Sequence, residues 1–270
     1  MIEIKLPERF ERDSLSTFFS LLEKTANEHV VKVDFSSLRY SKPTAMLVAG
    51  SRLRDWVRYR HGKGFTSIKA GIDPNKRVHS YLMHLGFFNF IYMEEGNIIG
   101  QAKGNNKYLP ITRVARPEFN PFDQPLTDWY ESIRYESKRL ATILSAGNNQ
   151  CISIYTYAIR EIIRNVFEHS KAKECFICGQ RWANGTVEIA VIDEGVGISS
   201  TLREAYRITG DDEALELAVK PGVSRTNNKP ESNNVFDNSG FGLYILSEIG
   251  KRYGWYALGS GTSKIIGANN

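Results

Sequence analysis

The run Thr186-Val-Glu-Ile-Ala-Val-Ile192 is almost unbroken in its apolarity and stops abruptly at Asp193-Glu-Gly195-Val-Gly197. It is short, rich in β-branched residues and bounded by turn formers, so it reads as a strand buried inside a sheet and not as one face of a helix. Helical patterns precede and follow it, which puts this half of the chain in the α/β class.

The first segment reads strand, helix, strand, helix. Val30-Val-Lys-Val-Asp-Phe35 is a β-branched run, and Ser41-Lys-Pro43 offers a cap and a proline in the first helical turn. Met46, Ala49, Leu53, Trp56 and Val57 then recur at helical spacing until His61-Gly-Lys-Gly64 stops the helix. Phe65-Thr-Ser-Ile-Lys-Ala-Gly-Ile72 is the next strand, and Pro74 opens a helix carrying Val78, Leu82 and Leu85 up to Gly86. Residues 1–93 therefore read as a small α/β domain. Residues 94–125, rich in Gly, Asn and Pro, read as a linker with one short strand near Tyr108-Leu-Pro-Ile-Thr112, and 126–270 as a second domain.

In that second domain the spacing predicts a helix from Leu126 to about Leu144, broken by Gly147-Asn-Asn149, and another from about Ile152 to His169. Strands are expected at Cys175-Phe-Ile-Cys178 and at 186–192, after which the pattern loosens. Residues 223–238 are dominated by Ser, Asn, Asp and Lys, with too little apolar surface to fix themselves without a ligand. Ser239-Gly-Phe-Gly-Leu243 opens a final helix to about Tyr253, and Trp255-Tyr-Ala-Leu258 reads as a strand.

The 270 residues suit about two domains at roughly 150 residues each, and the 41% hydrophobic and 24% charged content rules out wholesale disorder and fibrous repeats. No apolar run approaches the roughly 18 residues of a membrane span, and Met1-Ile-Glu-Ile-Lys-Leu-Pro7 has no signal-type apolar stretch, so a cytoplasmic chain without a membrane partner is expected. Cys151, Cys175 and Cys178 are too few for a disulfide scaffold. A net charge of +5, spread along the chain, permits a nucleic-acid partner without arguing for one.

Three patches can be assembled into one pocket. Glu161, Asn165 and Glu168 sit at i, i+4 and i+7, on one stripe of a helix whose isoleucines face elsewhere. A carboxylate can orient water and an amide oxygen can ligate a hard cation such as Mg²⁺, although a solvated stripe would look the same. Asp193, Gly195 and Gly197 follow the buried strand, where a carboxylate can accept from a ligand amine and glycines let backbone approach it. Ser200 stands where a dinucleotide fingerprint would have its third glycine, and no phosphate-cradling helix is expected to begin between the glycines. Gly240 and Gly242 lie at a helix start, where exposed amides and the helix dipole suit phosphates. The Lys-Ser/Thr of a P-loop is missing there.

The order Glu-x-x-x-Asn on a helix, Asp-x-Gly-x-Gly after a strand, a polar segment, then Gly-x-Gly-Leu at a helix start resembles the GHKL ATPase superfamily, which includes DNA gyrase, the histidine kinases and the anti-sigma-factor serine kinases. The match covers about 152–260, and Asn165-Val-Phe-Glu-His-Ser170 looks closest to the anti-sigma type. The resemblance implies a Bergerat-type two-layer α/β sandwich with a mixed sheet, binding ATP and Mg²⁺ between helix and sheet. It implies Glu161 as general base, Asn165 as Mg²⁺ ligand and Asp193 as adenine acceptor. Gly195, Gly197 and Ile198 would shape the adenine wall, Gly240, Phe241, Gly242 and Leu243 would close on the phosphates, and 223–238 would be the lid. The family closes on a further strand opening with Gly-Thr; either Gly261-Thr262 is its degenerate form or the sequence stops short of it. In the first domain, Val31-Lys-Val-Asp34-Phe-Ser-Ser-Leu38 and Tyr81-Leu-Met-His-Leu-Gly86-Phe resemble STAS domains, which are partner-binding modules. Pro43 falls where their switching serine would be, with Ser41 and Thr44 as neighbours.

The resulting expectation is a nucleotide-dependent regulatory switch with slow hydrolysis, coupled to a STAS-like domain that senses a regulatory protein partner. Lys220, Arg225 and Lys229 are the cations of the lid region. The alternatives are a protein serine kinase of the anti-sigma type and a scaffold with a vestigial site. Four further features are read conservatively. Cys175 and Cys178 are expected in the core and not on zinc, and His169 as structural. Arg54, Arg58 and His61 are expected on a solvated face. The 126–144 helix, carrying Trp129, Ile133, Leu140 and Leu144, is expected to pack on its own domain, with a homodimer seam as the alternative.

Overall fold

The computed structural model describes residues 1–116, 126–223 and 240–268. In chain order its principal elements are β1 (Ile2–Lys5), β2 (Arg9–Phe10), α1 (Leu15–Lys24), β3 (Val30–Asp34), β4 (Tyr40–Ser41), α2 (Pro43–Gly62), β5 (Thr66–Ala70), α3 (Arg77–His84), α4 (Phe87–Phe90), β6 (Tyr108–Ala115), α5 (Leu126–Ser145), α6 (Asn149–Asn165), β7 (Glu174–Arg181), β8 (Val187–Asp193), α7 (Gly197–Leu202), α8 (Asp211–Ala218), α9 (Gly242–Tyr253), β9 (Trp255–Ser260) and β10 (Ser263–Ala268). Parallel β1-β3-β5 and antiparallel β9-β10 make the protein a mixed α/β chain. No helix among the described residues is long and apolar enough to cross a membrane.

The chain divides into two compact units. One gathers Met1–Val114, Thr142–Gly147 and Phe176–Ile192; the other gathers Ala115–Ala141, Asn148–Cys175 and Asp193–Asn270.

In the first unit β3 is the central strand, with Val31 registered against Ile2 on one side and Ser67 on the other. Parallel neighbours need crossovers, and α1 and α2 supply them. Val31 and Val33 are fully buried under these helices. Pro43 occupies the first turn of α2 as its fixed φ favours, but the N-cap is Lys42 without a side-chain cap. The cap expected of Ser41 does not form, because Ser41 ends β4 and its hydroxyl turns to the Lys42 carbonyl at 3.3 Å. Lower on α2, Arg60 is fully buried and its guanidinium donates to the carbonyls of Thr25, Ala26, Glu28 and Thr66 and to Ser67 Oγ, so one side chain closes the end of α1 onto the start of β5. Arg54 corrects the expectation of a solvated basic face. It is 9% exposed, donates to the Phe90 carbonyl at 2.8 Å and lies over the rings of Phe90, Tyr92 and Phe176, where aromatic faces replace water around a weakly hydrated guanidinium.

Strands β6, β7 and β8 pair in that order. Phe176, Cys178, Ala190 and Ile192 join the same apolar core as Phe35, Met46, Phe87 and Phe90. Cys175 and Cys178 are buried core residues, and burial pushes the Cys175 thiol up to about 12. Within the segment expected to link the domains, β6 extends the short strand expected near 108–112 to Ala115.

In the second unit a cluster of Leu202, Ile208, Ala214 and Ala218 joins α7 to α8, and Ile198 and Leu243 pack against it. Neither α7 nor α8 was expected from the sequence, and α7 opens at Gly197, where no helix start was anticipated. The β9-β10 hairpin turns at Gly261-Thr262. There Thr262 donates its backbone N–H and its hydroxyl to Asp211 Oδ2 at 3.0 and 3.2 Å. The backbone donor holds the Asp211 carboxyl below the usual carboxylate range and ties the hairpin to the start of α8.

Candidate functional site

The three patches expected to form one pocket, Glu161 to Glu168, Asp193 to Ile198 and Gly240 to Leu243, all fall in the second unit. Helix α6 starts on a well-formed cap, the Asn148 side chain accepting from the N–H groups of Gln150 and Cys151 at 3.0 and 3.3 Å. The helix expected to reach His169 ends at Asn165 and widens into a π turn over Val166–Ser170. Such turns expose backbone carbonyls that an α-helix would bond, and they recur at functional sites. Here the carbonyl of Ser170 accepts from Val196 N–H at 2.8 Å, and that of His169 from the Thr201 hydroxyl at 3.3 Å. The π turn is thus the surface on which the segment after β8 lands.

Glu161 is 5% exposed. Its Oε1 accepts from Arg160 Nε at 3.1 Å and Nη2 at 2.9 Å, with Arg164 Nη1 3.7 Å away. One turn on, Arg164 Nε donates to Glu168 Oε1 at 3.0 Å, and its guanidinium lies over Tyr130 of α5 at 5.3 Å. Burial raises the Glu168 carboxyl above its usual value, and the Arg164 ion pair offsets this only in part. Asn165, half-buried, sits at the junction of the α and π turns.

Asp193 closes β8 and is exposed. Its Oδ1 accepts from Gly195 N–H at 2.9 Å, which folds the chain back at once. Gly195 then lies so close to the π turn that a β-carbon there would stand 2.3 Å from the Ser170 carbonyl oxygen, so only glycine fits. Gly197 adopts φ +79 and starts α7, and Ile198 N–H donates to Ser260 Oγ of β9 at 2.8 Å.

Gly240 adopts φ +70, and its carbonyl accepts from Gly222 N–H at 3.1 Å. Phe241, 42% exposed, precedes α9 without capping it through its side chain. Gly242 is buried against Glu161, whose Oε2 lies 2.9 Å from the position of a β-carbon at 242. Leu243 shares the α7-α8 cluster with Ile198.

The three stretches are therefore joined: Ser170 meets Gly195, Glu161 meets Gly242, and Ile198 and Leu243 pack against the same apolar cluster. Of the cations assigned to the lid region, Lys220 is exposed, and Arg225 and Lys229 lie outside the described residues, as do 224–238 of the lid and Ser239. Among the described residues no group of three or more His, Cys, Asp or Glu side chains gathers that could hold a metal by itself. A divalent ion here would need an amide oxygen such as that of Asn165 together with ligand phosphates. The sequence reading overlooked Arg160 and Arg164, whose only signal is their place at i−1 and i+3 from Glu161, and Ser170 and Ser260, small polar residues that seat the glycines. Comparison with protein-family models, with curated proteins and with solved structures gives no match.

Proposed function

We propose that this chain is a Mg²⁺-ATP-binding regulatory switch of the GHKL type, with a Bergerat-type sandwich in its second half and a STAS-like partner-binding domain in its first. One observation carries the reading: three stretches far apart in sequence converge inside one compact unit, with Gly195 against Ser170, Gly242 against Glu161, and Ile198 and Leu243 packed on one shared apolar cluster. The donor set fits a nucleotide, since it offers an exposed carboxylate at a strand end, a half-buried amide, the open amides of a helix start and a buried carboxylate beside them.

In this reading Asp193 accepts from the adenine amine, and Gly195, Gly197 and Ile198 form the wall beside the base. The backbone of Gly240, Phe241, Gly242 and Leu243 faces the phosphates, and Asn165 holds the metal. Bound Mg²⁺ supplies neutralising charge to the triphosphate. Glu161 takes a proton from water as the water oxygen bonds the γ-phosphorus and the bond to the ADP oxygen breaks, giving ADP and phosphate. Turnover is expected to be slow. The partner is a regulatory protein, and the setting is the cytoplasm.

Calorimetry and thermal unfolding with Mg²⁺-ATP test the binding step, because a ligand that binds only the folded state raises its stability by mass action. No heat and no shift in Tm at millimolar nucleotide would sink the reading in favour of a scaffold. Glu161→Ala should keep binding and lose turnover. With radiolabelled ATP and a candidate partner, label left on protein identifies the serine kinase instead of the ATPase.

A further inference from the structure

Glu161 is buried between two arginines that hold it differently. Arg164 is drawn to Glu168 through Nε at 3.0 Å and approaches Glu161 only to 3.7 Å. Arg160 places both Nε and Nη2 on the same oxygen of Glu161, Oε1, at 3.1 and 2.9 Å. Its guanidinium rests over the Tyr157 ring at 5.3 Å, and its side chain keeps 36% of its exposure. Two donors in a rigid fork on one oxygen stop the carboxylate from rotating. With Oε1 turned to Arg160, Oε2 is turned to Gly242 at the start of α9, a position where a side chain would collide with it.

We propose that Arg160 is a positioning residue: by occupying Oε1 it selects Oε2 as the oxygen that receives the proton from water, and it holds that oxygen at the phosphate-facing end of α9. This inference rests on the nucleotide reading above and adds to it the residue that sets the geometry of the base. Arg160 need not touch the nucleotide. Its effect should therefore appear in kcat and not in KM, and should vanish when position 161 can no longer accept a proton.

The experiment compares wild type, Arg160→Met, Arg160→Lys, Glu161→Gln and the Arg160→Met/Glu161→Gln double variant in the full chain, with Mg²⁺-ATP. Arg160→Met should lower kcat about tenfold and leave KM and the nucleotide-induced rise in Tm within about twofold of wild type. Arg160→Lys, a point charge without the fork, should restore kcat only in part. In the Glu161→Gln background, Arg160→Met should cause no further loss. Without nucleotide, Arg160→Met should lower Tm by about 2–4 °C, and the double variant should recover it because no buried charge is left unpaired. Unchanged kcat in Arg160→Met, an equal further loss in the Glu161→Gln background, or binding without turnover in wild type overturns the proposal and leaves nucleotide binding standing. A wild type that shows no shift with Mg²⁺-ATP overturns the nucleotide reading and this inference with it. Should Arg160→Met fail to fold, Arg160→Lys against wild type decides through the same split between kcat and KM.

Discussion

Oxygen Oε2 of Glu161 stands 2.9 Å from where a β-carbon on Gly242 would lie, so the carboxylate occupies space that exists only because residue 242 has no side chain. The backbone of α9 is fixed by its own hydrogen bonds, whereas the glutamate tip can be pushed aside at the expense of its contact with Arg160. Gly242→Ala should thus displace Glu161 and leave the helix in place. Alanine also favours a helix over glycine by up to about 1 kcal/mol, which offsets the crowding. We expect Gly242→Ala to lower Tm by no more than Arg160→Met does and to lose at least about tenfold in ATP turnover. A variant that turns over ATP normally would remove Glu161 from the chemistry.

The turn after β8 lets fold and ligand be separated. Asp193→Asn retains an oxygen for Gly195 N–H, so the turn should persist, while the charged acceptor for an adenine amine is lost. Loss of such a bond costs about 1.5–3 kcal/mol, roughly tenfold to a hundredfold in affinity. Gly195→Ala does the reverse, forcing a methyl group to within 2.3 Å of the Ser170 carbonyl and straining the Val196–Ser170 hydrogen bond. We expect it to cost about 1–3 kcal/mol of stability. Urea unfolding and nucleotide titration of both variants check this, and equal affinity for ATP in Asp193→Asn and wild type would rule out the adenine role.

Much of this arrangement is legible in the chain because it is local. The 3.6-residue recurrence around Met46 and Leu53 marks α2, the β-branched run before Asp193 marks β8, and the i, i+4, i+7 spacing aligns Glu161, Asn165 and Glu168. Other features escape for physical reasons. Ile2-Glu-Ile-Lys5 is too short and too charged to announce β1, and Asp211–Ala218 is only two turns long. A helix pattern does not register the switch from α to π after Asn165, since the same residues satisfy both. Adjacent residues on a helix are not expected to meet, which hides Arg160 from any reading based on spacing. Arg54 looks solvated in sequence because its aromatic neighbours, Phe90, Tyr92 and Phe176, come from distant segments. Periodicity also carries no information about which core a strand will join, so the packing of Phe176 and Cys178 with Met46 and Phe87 could not be foreseen.

His79 makes the first unit sensitive to acid. Its ring is fully buried, Nδ1 accepts from Asp73 N–H at 2.9 Å, and Nε2 lies 3.0 Å from the Phe35 carbonyl, an arrangement only the neutral ring with its proton on Nε2 satisfies. Burial lowers its pKa, with the Phe35 carbonyl opposing and Lys76 adding to the shift. The unfolded chain therefore binds the proton first. The contribution of His79 is complete above the unfolded value of about 6.5 and is lost as pH falls from there toward the folded value. Stability in urea should drop between pH 7 and 5, and His79→Gln, which can keep both hydrogen bonds, should flatten that slope. An unaltered slope would assign the acid sensitivity to other groups.

Lys42 at the start of α2 and Glu188 in β8 are 146 residues apart, yet Lys42 Nζ lies 2.6 Å from Glu188 Oε1 and the Thr44 hydroxyl donates to Oε2 at 3.0 Å. The glutamate side chain is 7% exposed and the lysine 28%, so the pair is neither a surface bridge worth little nor a fully dry one. Removing the lysine leaves a buried carboxylate with a single hydroxyl. Fully buried pairs lose about 3–5 kcal/mol in that way, and partial access of Lys42 to water should hold the loss in Lys42→Met to about 2–3 kcal/mol. Lys42→Met/Glu188→Gln should recover most of it, because no charge is then buried unpaired. The hydrogen bond that Lys42 donates to Glu188 raises the Lys42 pKa above its ordinary value. The stabilisation is therefore whole below the unfolded lysine value of about 10.4 and disappears as pH climbs through the folded one, giving wild type an alkaline loss of stability that Lys42→Met lacks. A double variant no more stable than Lys42→Met would mean that the buried charge is not what costs the single variant its stability.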